Sequence, residues 1–125
     1  MYYIDGLENL KDEEFKKMVN YNLELRREEN EYQVIAPKSH KELIDEGHTL
    51  KTAVAYWIPS IMNGKTQILF LRKVEDESLM SLEIKDNNLL QAKGMHNRNA
   101  TDEELLFLKK YCANKKLSMN INNCL

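Results

Sequence analysis

Thr66-Gln67-Ile68-Leu69-Phe70-Leu71-Arg72-Lys73-Val74, then Leu79-Met80-Ser81-Leu82-Glu83-Ile84-Lys85, then Leu89-Leu90-Gln91-Ala92-Lys93 decide how this chain folds. Each run is too short for a typical helix and rich in residues that suit a pleated surface. Asp76-Glu77-Ser78 and Asp86-Asn87-Asn88 lie between them as turns, so each neighbouring pair is predicted antiparallel. The first run carries apolar residues at both parities, Ile68 and Phe70 on one face and Leu69 and Leu71 on the other, and is expected to be the most buried. The second divides cleanly: Met80, Leu82 and Ile84 share one face, and Ser81, Glu83 and Lys85 share the other.

On either side of these strands the rhythm is helical. Thr101 is an N-cap with Glu104 at the third position of a capping box, which directs Leu105, Leu108 and Tyr111 or Cys112 inward. The Asn-rich tail, 117–125, is expected to fray. Ser39 with Glu42 forms a second capping box, for a helix through Leu43 and Ile44 that stops at Gly47. Another helix is predicted from about Thr49, with Leu50, Val54, Trp57, Ile58 and Ile61 as its buried stripe, Pro59 bending or shortening it, and Gly64 ending it. In an N-terminal helical segment, 1–19, Asp12-Glu13-Glu14 opens a short helix with Phe15, Met18 and Val19 at helical spacing. Over 20–36 the alternation of Tyr21, Leu23 and Leu25, a polar turn at Glu28-Glu29-Asn30, and Tyr32 and Val34 read as a β-hairpin. Leu23 and Arg27 also suit a continuous helix over 8–29, the competing reading. The expected fold is one α+β domain, 1–125: a three-stranded antiparallel meander extended by an N-terminal β-hairpin, with helices packed on one face.

Composition narrows the function classes. With 125 residues, 42% hydrophobic and 30% charged, the chain can bury a core without disulfides or a structural metal. No apolar run approaches the ~20 residues of a membrane helix, and the opening Met1-Tyr2-Tyr3-Ile4-Asp5 lacks a signal peptide's basic and apolar regions. A cytoplasmic location is expected. Cys112 falls in an apolar helical pattern and Cys124 in a polar tail, without zinc or redox spacing. Residues 1–36 hold five Lys or Arg against nine Asp or Glu, a balance of −4 within a net charge of −2, so 37–125 carry +2. So small an asymmetry permits nucleic-acid binding without indicating it.

One ordered series stands out: Pro37-Lys38-Ser39, Glu42-Leu43-Ile44-Asp45-Glu46-Gly47, Leu50-Lys51-Thr52-Ala53-Val54, Gly64-Lys65-Thr66, Ile68-Leu69-Phe70-Leu71-Arg72, Ser81-Leu82-Glu83-Ile84, Gln91-Ala92-Lys93-Gly94 and Asn97-Arg98. It resembles the C-terminal domain of PcfJ-like proteins, which are encoded on conjugative plasmids and phages of low-GC bacteria. Where that family usually reads Leu-His-His-Cys-Val and then Tyr, this chain has Leu50-Lys51-Thr52-Ala53-Val54 and Trp57. Lys51, Thr52 and Ala53 cannot replace imidazole and thiolate as a set.

The polar residues of the pattern are Lys65, Arg72, Ser81, Glu83, Gln91, Asn97 and Arg98. With strands about 4.8 Å apart, Arg72, Glu83 and Gln91 can meet on one sheet face, where Arg72 and Glu83 pair bidentately or offer a donor and an acceptor to a ligand. A solvated cross-strand ion pair is the plainer alternative. Gly94-Met95-His96-Asn97-Arg98, beside a helix N-terminus, can hold an anion through N–H groups and the guanidinium, or can be a turn with Asn97 left-handed and Arg98 solvated. Lys51 and Tyr56 fall off the buried stripe of their helix and are candidates for partner contact. Gly64-Lys65-Thr66 lacks the earlier glycine of a phosphate loop. His40, Asp45 and His48 are too few for a conventional metal site, and no Ser or Cys occupies a glycine-flanked nucleophile elbow.

The sequence is therefore read as a non-catalytic binding module without cofactor or metal, contacting a protein or nucleic acid through Lys51, Tyr56, Lys65, Arg72, Glu83, Gln91, Asn97 and Arg98. The resemblance implies conjugative transfer or inhibition of a host defence system as its setting. The alternatives are an enzyme acting on nucleic acid or a phosphorylated ligand, with Glu83 as general base and Arg72 and Arg98 stabilising charge, and a plain nucleic-acid binder using Lys51, Lys65, Arg72, Lys73, Lys93 and Arg98.

Overall fold

The strand-forming runs assemble into a sheet in a computed structural model that describes residues 12–26, 32–51, 58–73 and 77–121. Its strands are β1 (Leu25–Arg26), β2 (Tyr32–Ile35), β3 (Gln67–Lys73), β4 (Ser78–Lys85), β5 (Asn88–Lys93) and β6 (Ser118–Met119), hydrogen-bonded in that order. Neighbours are antiparallel except β5 and β6, which run parallel. The turn between β4 and β5 places Asp86 (φ 52°) and Asn87 (φ 62°) in the left-handed region that matches strand twist. Among the described residues, four α-helices accompany the sheet in this α+β fold: α1 (Asp12–Met18), α2 (His40–Leu50), α3 (Ile58–Met62) and α4 (Asp102–Lys115).

Cross-strand register defines two faces. Ile35, Phe70 and Ser81 align on one, with Ile68 and Glu83; Val34, Leu71 and Met80 align on the other, with Leu69, Leu82 and Ala92. Both faces are covered. Glu46 of α2 touches Arg72 and Ser78 on the first, and Phe107 of α4 packs on Tyr32 of the second, ring centroids 5.2 Å apart. The expectation of helices on one face is thus corrected. β4 is buried at both parities from Met80 to Ile84, and one layer of helices cannot shield two sides of a sheet.

Several local expectations also change. Tyr21–Leu23 is a 3₁₀ turn rather than strand, started by Asn20, whose side chain accepts from Asn22 N–H, and neither it nor β1 continues α1 as a long helix. Gly47 does not end α2. The helix runs on to Leu50 because Leu43, Gly47 and Leu50 form one buried stripe, and Lys51 (φ 54°) is its left-handed cap. Gly64 (φ 71°) does terminate α3: Gly64 N–H bonds Ile61 O and Lys65 N–H bonds Ser60 O, the paired bonds of a Schellman motif. The Ser39 box is half made, since Glu42 N–H donates to Ser39 Oγ while the Glu42 carboxylate takes Lys38 N–H. The tail does not fray at 117. Ser118 N–H and Asn120 N–H bond Asn87 O and Leu89 O, which builds β6 onto the sheet.

Candidate functional site

Thr101 and Glu104 make the predicted capping box: Thr101 Oγ1 accepts Glu104 N–H and Glu104 Oε1 accepts Thr101 N–H at 2.9 Å. The same carboxylate takes both arms of Arg98, Nη1 to Oε1 at 2.8 Å and Nη2 to Oε2 at 3.0 Å. Burial alone would raise this carboxyl, but the Arg98 and Thr101 donors outweigh it and hold Glu104 below the ordinary range. Gly94 makes room for the pair, since a Cβ there would lie 2.7 Å from Arg98 Cζ and 2.9 Å from its Cγ. The 94–98 loop lies beside a helix start, and its guanidinium holds the Glu104 carboxylate of the same chain. Arg98 is therefore paired within the chain, although its side chain remains 38% exposed. Asn97 is exposed and left-handed (φ 63°).

The predicted meeting of Arg72, Glu83 and Gln91 is corrected. Glu83 stands opposite Ile68, four residues from Arg72 along β3, or about 13 Å at strand rise. Glu83 is buried and accepts Thr66 Oγ1 at 3.1 Å. Gln91 is its cross-strand partner on β5 but is exposed. Arg72 turns instead to α2: Nη2 donates to Glu46 Oε1 at 3.0 Å while the guanidinium lies 4.9 Å over the Phe70 ring. A bulge at Leu79 sets this up by bringing Ser78 opposite Arg72 in place of the next residue in register. Ser78 Oγ then donates to the same Glu46 oxygen at 2.9 Å.

Glu46, Arg72 and Ser78 border a cleft of about 250 Å³ with Glu42, Asp45 and Thr49. Positions 42, 45, 46 and 49 fall at helical spacings of three and four, so one face of α2 forms a wall and the ends of β3 and β4 supply the other. Three carboxylates face one guanidinium. Glu46 is 2% exposed, and among the described residues neither its Oε2 nor Arg72 Nε has a hydrogen-bond partner. Burial raises the Glu46 carboxyl above the ordinary range despite the opposing pull of Arg72 and Ser78. Glu46 and Ser78 were not among the sequence-derived candidates. The available signal was a carboxylate three residues after Leu43 and four before Leu50, on the buried stripe of an amphipathic helix.

Lys51 is exposed at the end of α2, and Lys65, also exposed, borders a notch of about 170 Å³ with Asn20, Lys85 and Asp86. Tyr56 lies outside the described residues, as do Thr52, Ala53, Trp57 and Cys124. Cys112 is core, and burial pushes its thiol up to about 11. Among the described residues, no three His, Cys, Asp or Glu side chains are grouped to hold a metal ion, and no helix is long and apolar enough to cross a membrane.

Comparison with known proteins places this geometry in a lineage. An uncharacterized protein of Listeria innocua serovar 6a, Lin1253/Lin1744, is 29% identical over 98 residues, which cover 75% of this chain and 22% of that protein. The chain thus spans about a fifth of the length of its curated relative. No solved structure matches. The family described as PcfJ-like protein matches residues 6–107, and the chain belongs to that family.

Proposed function

We propose that this domain is a non-catalytic module that binds a protein partner, serving a plasmid- or phage-encoded process such as conjugative transfer or inhibition of a host defence system. The observation that carries the reading is how the candidate charged residues are used. Arg72 is held by Glu46, Arg98 by Glu104 and Glu83 by Thr66, so the groups nominated for acid–base work or phosphate contact already have intramolecular partners. Lys73 approaches Glu77 at 3.9 Å and Lys93 donates to Asn99 at 2.6 Å, which depletes the basic set further. The cleft beside α2 has three carboxylates, a lining that repels a phosphate backbone. The setting rests on the family: PcfJ-like proteins are associated with mobile elements.

Purified protein incubated with single- and double-stranded DNA, RNA and nucleotides is expected to leave them intact and to bind them weakly, if at all, at physiological salt. Turnover abolished by Glu83→Gln would establish the enzyme reading instead. Tight binding that falls steeply with salt, and is lost on replacing Lys51 and Lys65, would establish the nucleic-acid reading.

A further inference from the structure

We infer that the cleft between α2 and the ends of β3 and β4 receives a lysine or arginine side chain from a basic segment of a protein partner. The inference deepens the binding-module reading and rests on it. Charge comes first: among the described residues of the cleft, Glu42, Asp45 and Glu46 stand against Arg72, and Thr49 and Ser78 add hydroxyls. Carboxylates accept hydrogen bonds and donate none when ionised, whereas ammonium and guanidinium donate and accept none, so the lining and a side-chain cation are complementary. Size comes second. At about 250 Å³ the cleft is smaller than the ~300–1,000 Å³ of small-molecule sites, which suits one side chain better than a nucleotide.

Glu46 supplies the independent observation. It is almost wholly buried at the cleft and carries an oxygen with no hydrogen-bond donor, and such buried groups are rarely left unmatched in folded proteins. Its partners do not complete it. Among the described residues, Arg72 and Ser78 both donate to Oε1 and leave Oε2, itself buried, without a donor. Arg72 is itself stacked on Phe70, which keeps it lying along the sheet beside the carboxylate. Asp45 is exposed on the same helical face, one residue before Glu46, and can meet an entering cation first.

The test uses a short peptide with a single central arginine, titrated into the whole protein while backbone amide shifts of residues 42–49 are followed by NMR. Saturable shifts in that segment are expected, with the same peptide carrying citrulline in place of arginine at least about tenfold weaker, as for loss of a charge-assisted hydrogen bond. Asp45→Asn, an exposed change that leaves the core intact, and Glu46→Gln should each weaken the arginine peptide, whereas Lys65→Ala should not. Absence of saturable shifts, equal binding of the citrulline peptide, or magnesium chloride saturating the segment where the peptide does not would overturn the inference. None of these results touches the binding-module reading, which falls only to turnover or to nucleic-acid binding in the assays above.

Discussion

Arg98 with Glu104 and Arg72 with Glu46 are the same two residue types in one small domain, yet their carboxyls are pushed in opposite directions. Counting donors explains why. Glu104 receives three hydrogen bonds spread over both oxygens, two from Arg98 and one from the Thr101 backbone. Among the described residues Glu46 receives two, both on Oε1, and Oε2 has none. Desolvation raises both carboxyls, and only the fully matched one recovers more than it loses. The first pair finishes a helix cap. The second borders a cleft and is left incomplete.

The largest effect that separates them is expected from Glu104→Ala. It removes the reciprocal cap and strands Arg98 at once, for a loss of about 2–4 kcal/mol in urea unfolding. Gly94→Ala sharpens the same point without touching either charge. Its methyl group occupies the path of Arg98, and a loss of about 1–3 kcal/mol is expected, with the stability advantage of Glu104 over Gln at that position reduced. Glu46→Gln should change stability by less than about 1 kcal/mol, because Gln can still accept from Arg72 and Ser78 through one oxygen and no longer buries an ion. Smallest of all, Lys73→Ala removes an exposed i, i+4 contact with Glu77 and should fall within about 0.5 kcal/mol of the wild type.

The two carboxyls also make opposite contributions to the pH dependence of stability. Glu104 is lowered in the folded state, so its contribution is present above the ordinary carboxylate pKa and is lost as pH falls through the folded value. Glu46 is raised, so between its ordinary and folded values the native state binds more protons than the unfolded chain, and stability declines as pH rises through that window. The groups that face Glu46 are Arg72 of β3, Ser78 of β4 and Glu42 of its own helix. Glu46→Gln should abolish the decline and leave the acid-side loss of Glu104 in place, as read from urea unfolding across pH 3 to 7.

Local chemistry made much of the fold legible. The Thr101 cap, the left-handed Gly64 and the turn at Asp86 and Asn87 are each set by residues within a few positions of one another, and each was visible in the sequence. The side-chain partners were not. Arg72 and Glu83 share a sheet face by parity, but parity does not give register, and the pairing that sets Glu83 opposite Ile68 separates them. The partner Arg72 finds lies 26 residues away on a helix whose docking no short-range signal specifies. The alternation put Ser81 and Glu83 on one face of the second strand but did not say whether that face is covered. They are buried, at 8% and 6% exposure, because a second helical layer covers that face. The tail was read as frayed from its asparagines, yet Asn120 uses its backbone and side chain to join β5.

The contrast between the two pairs can be read atom by atom from the side-chain carboxyl carbons of Glu46 and Glu104, followed by NMR through a pH titration of the native protein. Glu104 should titrate below an exposed glutamate and Glu46 above one. If both titrate together, or in reverse order, Glu46 is not the unfinished member of the pair, and the cleft beside it loses the feature that marks it as a place for a partner.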